Sequence, residues 1–149
     1  MGRIQGATIV ERSVEEVFDF VADELNETMY NPLMVHAEKT TPGPIGVGTH
    51  WTATILAYGR PLDMDIEVTE YDRPHRLGSL TRISAADVDG LLTFEPDPAG
   101  TRLVWSWELR PKGALRLVAP LLAGAGRQQE AELWGELKAY LESRQLRPR

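Results

Sequence analysis

Hydrophobic and polar positions along the chain follow two alternating periods. Val14, Val17, Phe18 and Val21 recur at helical spacing, which predicts an amphipathic helix over residues 14–23. Ser13, with Glu16 three positions later, gives the capping-box pattern at its start. A β-rich run over residues 7–12 precedes this helix and is predicted as a strand. A second short helical stretch, around residues 24–30, should end at Asn31-Pro32. Between Val35 and Arg110 the period changes to two. Trp51, Ala53, Ile55 and Ala57 alternate with polar neighbours, as do Met64, Ile66 and Val68, and then Leu103, Trp105, Trp107 and Leu109. Each pattern reads as an antiparallel strand with one buried face and one wet face. After Pro111-Lys112-Gly113 the helical period returns, with Val118, Leu122, Ala125, Gln129, Leu133, Leu137 and Leu141 on one stripe. Pro120 lies inside that stripe and predicts a kink or break near residue 120, leaving a cleaner helix from about residue 126 to 143.

The order is strand, two short helices, an antiparallel meander and a long helix, which is an α+β pattern. No repeat, low-complexity stretch or linker divides the chain, so residues 1–149 read as one domain. Pro42-Gly43-Pro44, Arg73-Pro74 and Pro96-Asp97-Pro98-Ala99-Gly100 mark turns. Gly43, Gly46 and Gly48 precede a strand, not a helix, so they read as a turn needing positive φ and not as a phosphate cradle.

Composition narrows the function classes. The 149 residues include no cysteine and three histidines, and their formal charge is −6. Disulfides, cysteine-ligated zinc and a thiolate nucleophile are therefore excluded. His36, His50 and His75 lie far apart without acidic ligand spacing, so no metal site is expected. No apolar stretch reaches the roughly 18 residues of a membrane span, and residues 1–10 lack the signal-peptide pattern. A cytoplasmic protein without integral membrane association is the expectation. The acidic balance argues against nucleic acid as a partner. Residues 1–109 carry 8 basic and 18 acidic groups, whereas residues 110–149 carry 8 and 4. The basic end, with Arg144, Arg147 and Arg149, reads as a solvated helix face and frayed tail, with docking on an acidic surface as the alternative.

Several segments together resemble the polyketide cyclase/dehydrase-like branch of the START/birch-pollen-allergen (SRPBCC) superfamily. Residues 9–23 resemble its opening strand and helix. Residues 43–49 resemble its glycine-rich turn, residues 100–105 its last strand, and residues 133–138 with Leu141-Glu142 its final helix. The resemblance departs at Arg12, where a small residue is usual, and at Tyr30, where a Trp is commoner before Asn-Pro. It implies a helix-grip fold, in which a bent antiparallel sheet wraps the long C-terminal helix around a cavity. Members bind hydrophobic ligands there, and a minority are cyclases, aromatases or dehydratases.

Within that frame the inward row is the expected ligand-binding wall: Trp51, Ile55, Met64, Ile66, Leu92, Phe94, Trp105 and Trp107. Tyr30, Met34 and Leu122 are added from the helices and the second strand. Met34 and Met64 supply adaptable thioethers. No G-x-S-x-G elbow or HExxH motif is present. Asp63, Asp65 and Glu67 alternate with the apolar face and should point to solvent. Tyr30, His36 and Arg82 remain as candidate acid, base or anion-holding groups. Only one of Thr81 and Arg82 can face inward, and Arg12 is a further polar candidate. The expected function is binding or transport of a hydrophobic small molecule (a lipid, polyketide or aromatic metabolite) without a cofactor. The alternative is a polyketide cyclase, aromatase or dehydratase working with a cavity acid/base. Monomer and homodimer both stay open.

Overall fold

The computed structural model describes the backbone of residues 2–57, 59–113 and 119–143, with side chains in those ranges except at 2, 57 and 119–127. Seven strands run β1 Gly2–Val10, β2 Met34–Lys39, β3 His50–Ala57, β4 Arg60–Asp72, β5 Arg76–Arg82, β6 Ala86–Asp97 and β7 Gly100–Pro111. They form one antiparallel sheet in the order β1-β7-β6-β5-β4-β3-β2. Strands β2 to β7 are a meander, and β1 returns to pair with β7. Helices α1 (Val14–Ala22) and α2 (Glu27–Tyr30), joined by a 3-10 turn at Glu24–Asn26, follow β1, and helix α3 (Ala119–Ser143) follows the sheet. The α+β class and the helix-grip arrangement are thus both present.

The first helix forms where the pattern places it. The Ser13 hydroxyl accepts from the Glu16 amide at 3.2 Å and the Ser13 amide donates to the Glu16 carboxylate at 3.4 Å. This satisfies two orphan donors and contributes about 1 kcal/mol. Val14, Val17, Phe18 and Val21 are buried. Phe18 meets Phe94 edge-on at 5.1 Å and Tyr71 at 5.2 Å.

Two element boundaries differ from the sequence expectation. Strand β1 starts five residues earlier than expected, at Gly2, because it pairs with β7 from Gly2↔Leu109 to Val10↔Thr101. It ends at Val10, where the Arg12 amide turns back to the Val10 carbonyl at 2.8 Å. Helix α3 runs without a break through Pro120. That proline is the second residue of the helix, where a missing N–H removes no intrahelical bond. Val118 and the arginines at 144, 147 and 149 lie outside the described residues, as does the side chain of Leu122.

The C-terminal half of α3 is fastened to the start of the chain. Lys138 donates to the Ile9 carbonyl and to Glu142, both at 2.7 Å, and Glu142 accepts from the Glu11 amide at 3.0 Å. Arg12 donates to the Leu141 carbonyl at 3.0 Å and pairs with Glu16 at 3.6 Å. Arg12 is thus a clamp on the end of α3.

Register breaks between Met34 and His36 and between Val68 and Glu70 bend the sheet. Gly43 and Gly48 adopt φ of 88° and 93°, as the turn reading requires. Asp63, Asp65 and Glu67 lie on the outer face. Arg82 stands between Asp65 and Glu67 at 3.1 Å from each, and Thr54 donates to Asp63 at 2.8 Å.

Buried apolar residues fall into two clusters. One joins α1, α3, β6 and β7 through Phe18, Phe94, Leu103, Trp105 and Leu137. The other, Met34, Trp51, Ala53 and Ile66, lies under β2, β3 and β4. The described side chains leave the space between them unfilled.

Candidate functional site

A cavity of about 470 Å³ separates the two clusters. Its size lies within the usual range for small-molecule sites, about 300–1,000 Å³. The sheet supplies most of its wall. Ile4, Trp51, Met64, Ile66, Val68, Leu77, Val88, Leu92, Trp107 and Leu109 are apolar, and Ser79 and Thr81 add two hydroxyls. The pair Thr81 and Arg82 resolves as alternation demands: Thr81 lines the cavity, and Arg82 is on the outer face with its two acids.

Trp107 reaches this space because it lies over Gly90, its cross-strand partner. A Cβ at Gly90 would overlap the six-membered ring of the indole. Gly6 opposite Trp105 is constrained in the same way. Trp105 then stacks on Trp134 with ring centroids 5.7 Å apart. The glycines are fixed by close approach of a ring, not by a turn.

The helices supply the polar groups. Glu24 comes from the 3-10 turn, Glu27 and Tyr30 from α2, and Gln129 and Glu130 from α3. Glu130 is set on the cavity side of α3, one turn before Trp134. The indole N–H groups of Trp107 and Trp134 both donate to its Oε1, the latter at 3.2 Å. Burial raises the Glu130 pKa to about 7, the two indole hydrogen bonds pull it down, and the nearby Glu27 charge pushes it up. Glu24 is held well above the usual carboxylate range, first by burial, then by the Glu27 charge and a carboxyl–carboxyl hydrogen bond to Glu27. Glu27 accepts from Asn31 Nδ2 at 2.7 Å. Burial and these three acids raise Tyr30 well above an ordinary phenol, so it is a neutral hydroxyl at physiological pH.

The residues named from the sequence divide among these places. Tyr30, Trp51, Met64, Ile66, Leu92 and Trp107 line the cavity. Met34 and Ile55 pack in or against the cluster beneath β2 to β4, and Phe94 and Trp105 in the other core cluster. His36 is exposed beside Glu38 at 3.5 Å. Neither His36 nor Arg82 reaches the cavity acids. Glu24, Glu27 and Glu130 were not singled out by the sequence. Among the described residues no Lys, Arg or His lines the cavity. Among the same residues, no group of three or more His, Cys, Asp or Glu is placed to hold a metal ion. No described helix is long and apolar enough to cross a membrane.

Residues 1–142 match the family model described as polyketide cyclase/dehydrase and lipid transport. No curated protein matches the sequence significantly. Solved structures are similar in fold at low identity. A START superfamily protein from Mycobacterium smegmatis has 15% identity and a TM-score of 0.80, with 96% of this chain and 99% of that one covered. A protein from Thermus thermophilus has 16% identity and a TM-score of 0.77, with 95% and 97% covered. Ara h 8.0201 has 14% identity and a TM-score of 0.75, again with 95% and 97% covered.

Proposed function

The chain belongs to the polyketide cyclase/dehydrase and lipid transport family, and from that premise we propose that it binds one hydrophobic small molecule in the cavity between the sheet and α3. The observation that carries this reading is the unfilled 470 Å³ space between two otherwise close-packed clusters. Protein interiors are normally packed like organic crystals, so an unfilled apolar space of this size costs stability that filling would recover. A ligand regains the lost dispersion contacts against Trp51, Ile66, Leu92 and Trp107. A neutral probe tests this. Nile red should bind saturably at one site per chain, and Ser79→Trp, which puts an indole into the middle of the wall, should abolish binding while leaving the fold intact. Binding that survives Ser79→Trp unchanged would place the probe elsewhere.

A second reading is an acid/base enzyme of the cyclase or dehydratase type, and Glu130 favours it. A carboxyl with a pKa of about 7 can both take and return a proton at neutral pH. In a dehydration, Glu130 as carboxylate removes the proton α to a carbonyl, and a neutral group such as Glu24 or Tyr30 gives a proton to the departing hydroxyl, which leaves as water. Under this reading Glu130→Gln abolishes turnover of a β-hydroxyketone but preserves its binding. Tyr30→Phe in the parent chain lowers the rate only if the phenol is the donor.

A further inference from the structure

The carboxyl groups are the ionisable acids of the described cavity lining, and no base accompanies them there. Glu24, Glu27 and Glu130 face the cavity from three helical segments, with no described cationic side chain among the lining residues. Glu24 and Glu27 are three residues apart on adjoining helical turns, and Glu130 lines the same cavity from α3. Partly buried carboxyls are ordinarily matched by a cation or by several donors. Here the donors run short. The two indole N–H groups share Oε1 of Glu130, and no described group donates to its Oε2. Among the described residues, no Lys, Arg or His stands in the cavity lining beside Glu24.

Tyr30 provides an independent observation. It is 7% exposed and lines the cavity. No described group hydrogen-bonds its hydroxyl, and the side chain lines the same cavity as the three acids, where a ligand's polar atom would complete it.

We propose that the cavity selects a hydrophobic molecule bearing a basic nitrogen, with the protonated nitrogen seated between Tyr30 Oη and the carboxyls of Glu24, Glu27 and Glu130. The proposal rests on the cavity reading above and adds the ligand's polar class to it. An ammonium has donors for the free carboxylate oxygens and for the phenol oxygen, and it needs no acceptor in return. A ligand carboxylate would add its charge beside these acids, and a neutral alcohol brings a single donor to three carboxyls. The titratable groups that face the nitrogen are Glu24 from the 3-10 turn, Glu27 and Tyr30 from α2 and Glu130 from α3. The lining residues of the sheet carry none. The acids that hold protons in the empty protein must release them to pair with the cation, so binding is linked to pH.

Calorimetric titration of the full chain with decylamine, decanol and decanoate separates the possibilities, because the three share one apolar tail. Decylamine should bind at least about tenfold more tightly than decanol, with decanoate weakest. Near pH 6, in buffers of different ionisation heat, decylamine should release protons and decanol should not. In the Glu24→Gln, Glu27→Gln, Glu130→Gln triple variant the amine should lose its advantage to within about twofold. Should the triple variant fail to fold, Glu130→Gln alone should narrow the ratio and reduce the proton release. Equal or tighter binding of decanol or decanoate, failure of decylamine to bind, or an amine preference that survives the glutamine variants would each overturn the proposal. Decanol binding without an amine preference leaves the cavity reading standing, whereas failure of Nile red and all three decyl compounds removes both.

Discussion

Glu130 sets the pH response of the cavity. Burial raises its folded-state pKa to about 7 from an ordinary 4.5. Between those values the native state holds a proton that the unfolded chain has lost, so stability falls as pH rises through this window. The stabilisation is full below about pH 4.5 and lost above about 7, and the shift corresponds to roughly 3 kcal/mol. Glu24 acts in the same direction. Glu130→Gln keeps an acceptor for Trp107 and Trp134 and cannot ionise. The variant should melt above the parent at pH 8 and close to it at pH 5, as thermal unfolding followed by circular dichroism will show. A variant that is less stable at both pH values would mean that ionised Glu130 is well matched by its surroundings. Tyr30 was named from the sequence because the family resemblance puts the cavity mouth between the second helix and second strand, which it flanks. The three glutamates were not, since an acid in an amphipathic segment ordinarily faces water. A faint signal did exist for Glu130: it is one turn before Trp134 and directly follows Gln129, the one polar member of the apolar stripe.

At the scale of elements, strand alternation was the most legible property. It placed Trp51, Ile66 and Trp107 on the inner face, and Asp63, Asp65 and Glu67 on the outer. Alternation does not say how far along a strand the cavity extends. Phe94 and Trp105 share the inner face with Leu92 and Trp107, yet they belong to the packed core where α1 and α3 close over the sheet. The extent of the opening depends on what the helices cover, which is a tertiary property. The cross-strand pair Gly90↔Trp107 couples strand register to the site. Gly90→Ala places a methyl group in the indole ring and forces Trp107 off β6. It should cost about 1–3 kcal/mol in urea denaturation and weaken Nile red binding, because Trp107 then leaves both the cavity wall and Glu130. Unchanged stability and binding would mean that the ring has another resting place. Pro120 is the opposite case. Proline chemistry predicted a break near residue 120, but α3 is continuous from Ala119 through Pro120.

Across the whole molecule, volume and polarity come from different parts. The sheet supplies the space, with apolar side chains and the hydroxyls of Ser79 and Thr81. The acids and the phenol that face that space all stand on helical segments. The outer ladder of Asp63, Asp65, Glu67 and Arg82 is separated from both by the thickness of the sheet. The overall α+β plan could be read from sequence because it follows from periodicity, whereas the polarity of the interior could not, because it depends on where three helical segments converge. This division makes the fold easy to diversify. Exchanging a few side chains on the 3-10 turn, α2 and α3 would convert an acidic socket into a neutral or basic one, while the hydrogen-bond ladder, the strand register and the outer charges stay as they are. Descendants of such a chain could keep one scaffold and change clients by substitutions in two short stretches of sequence.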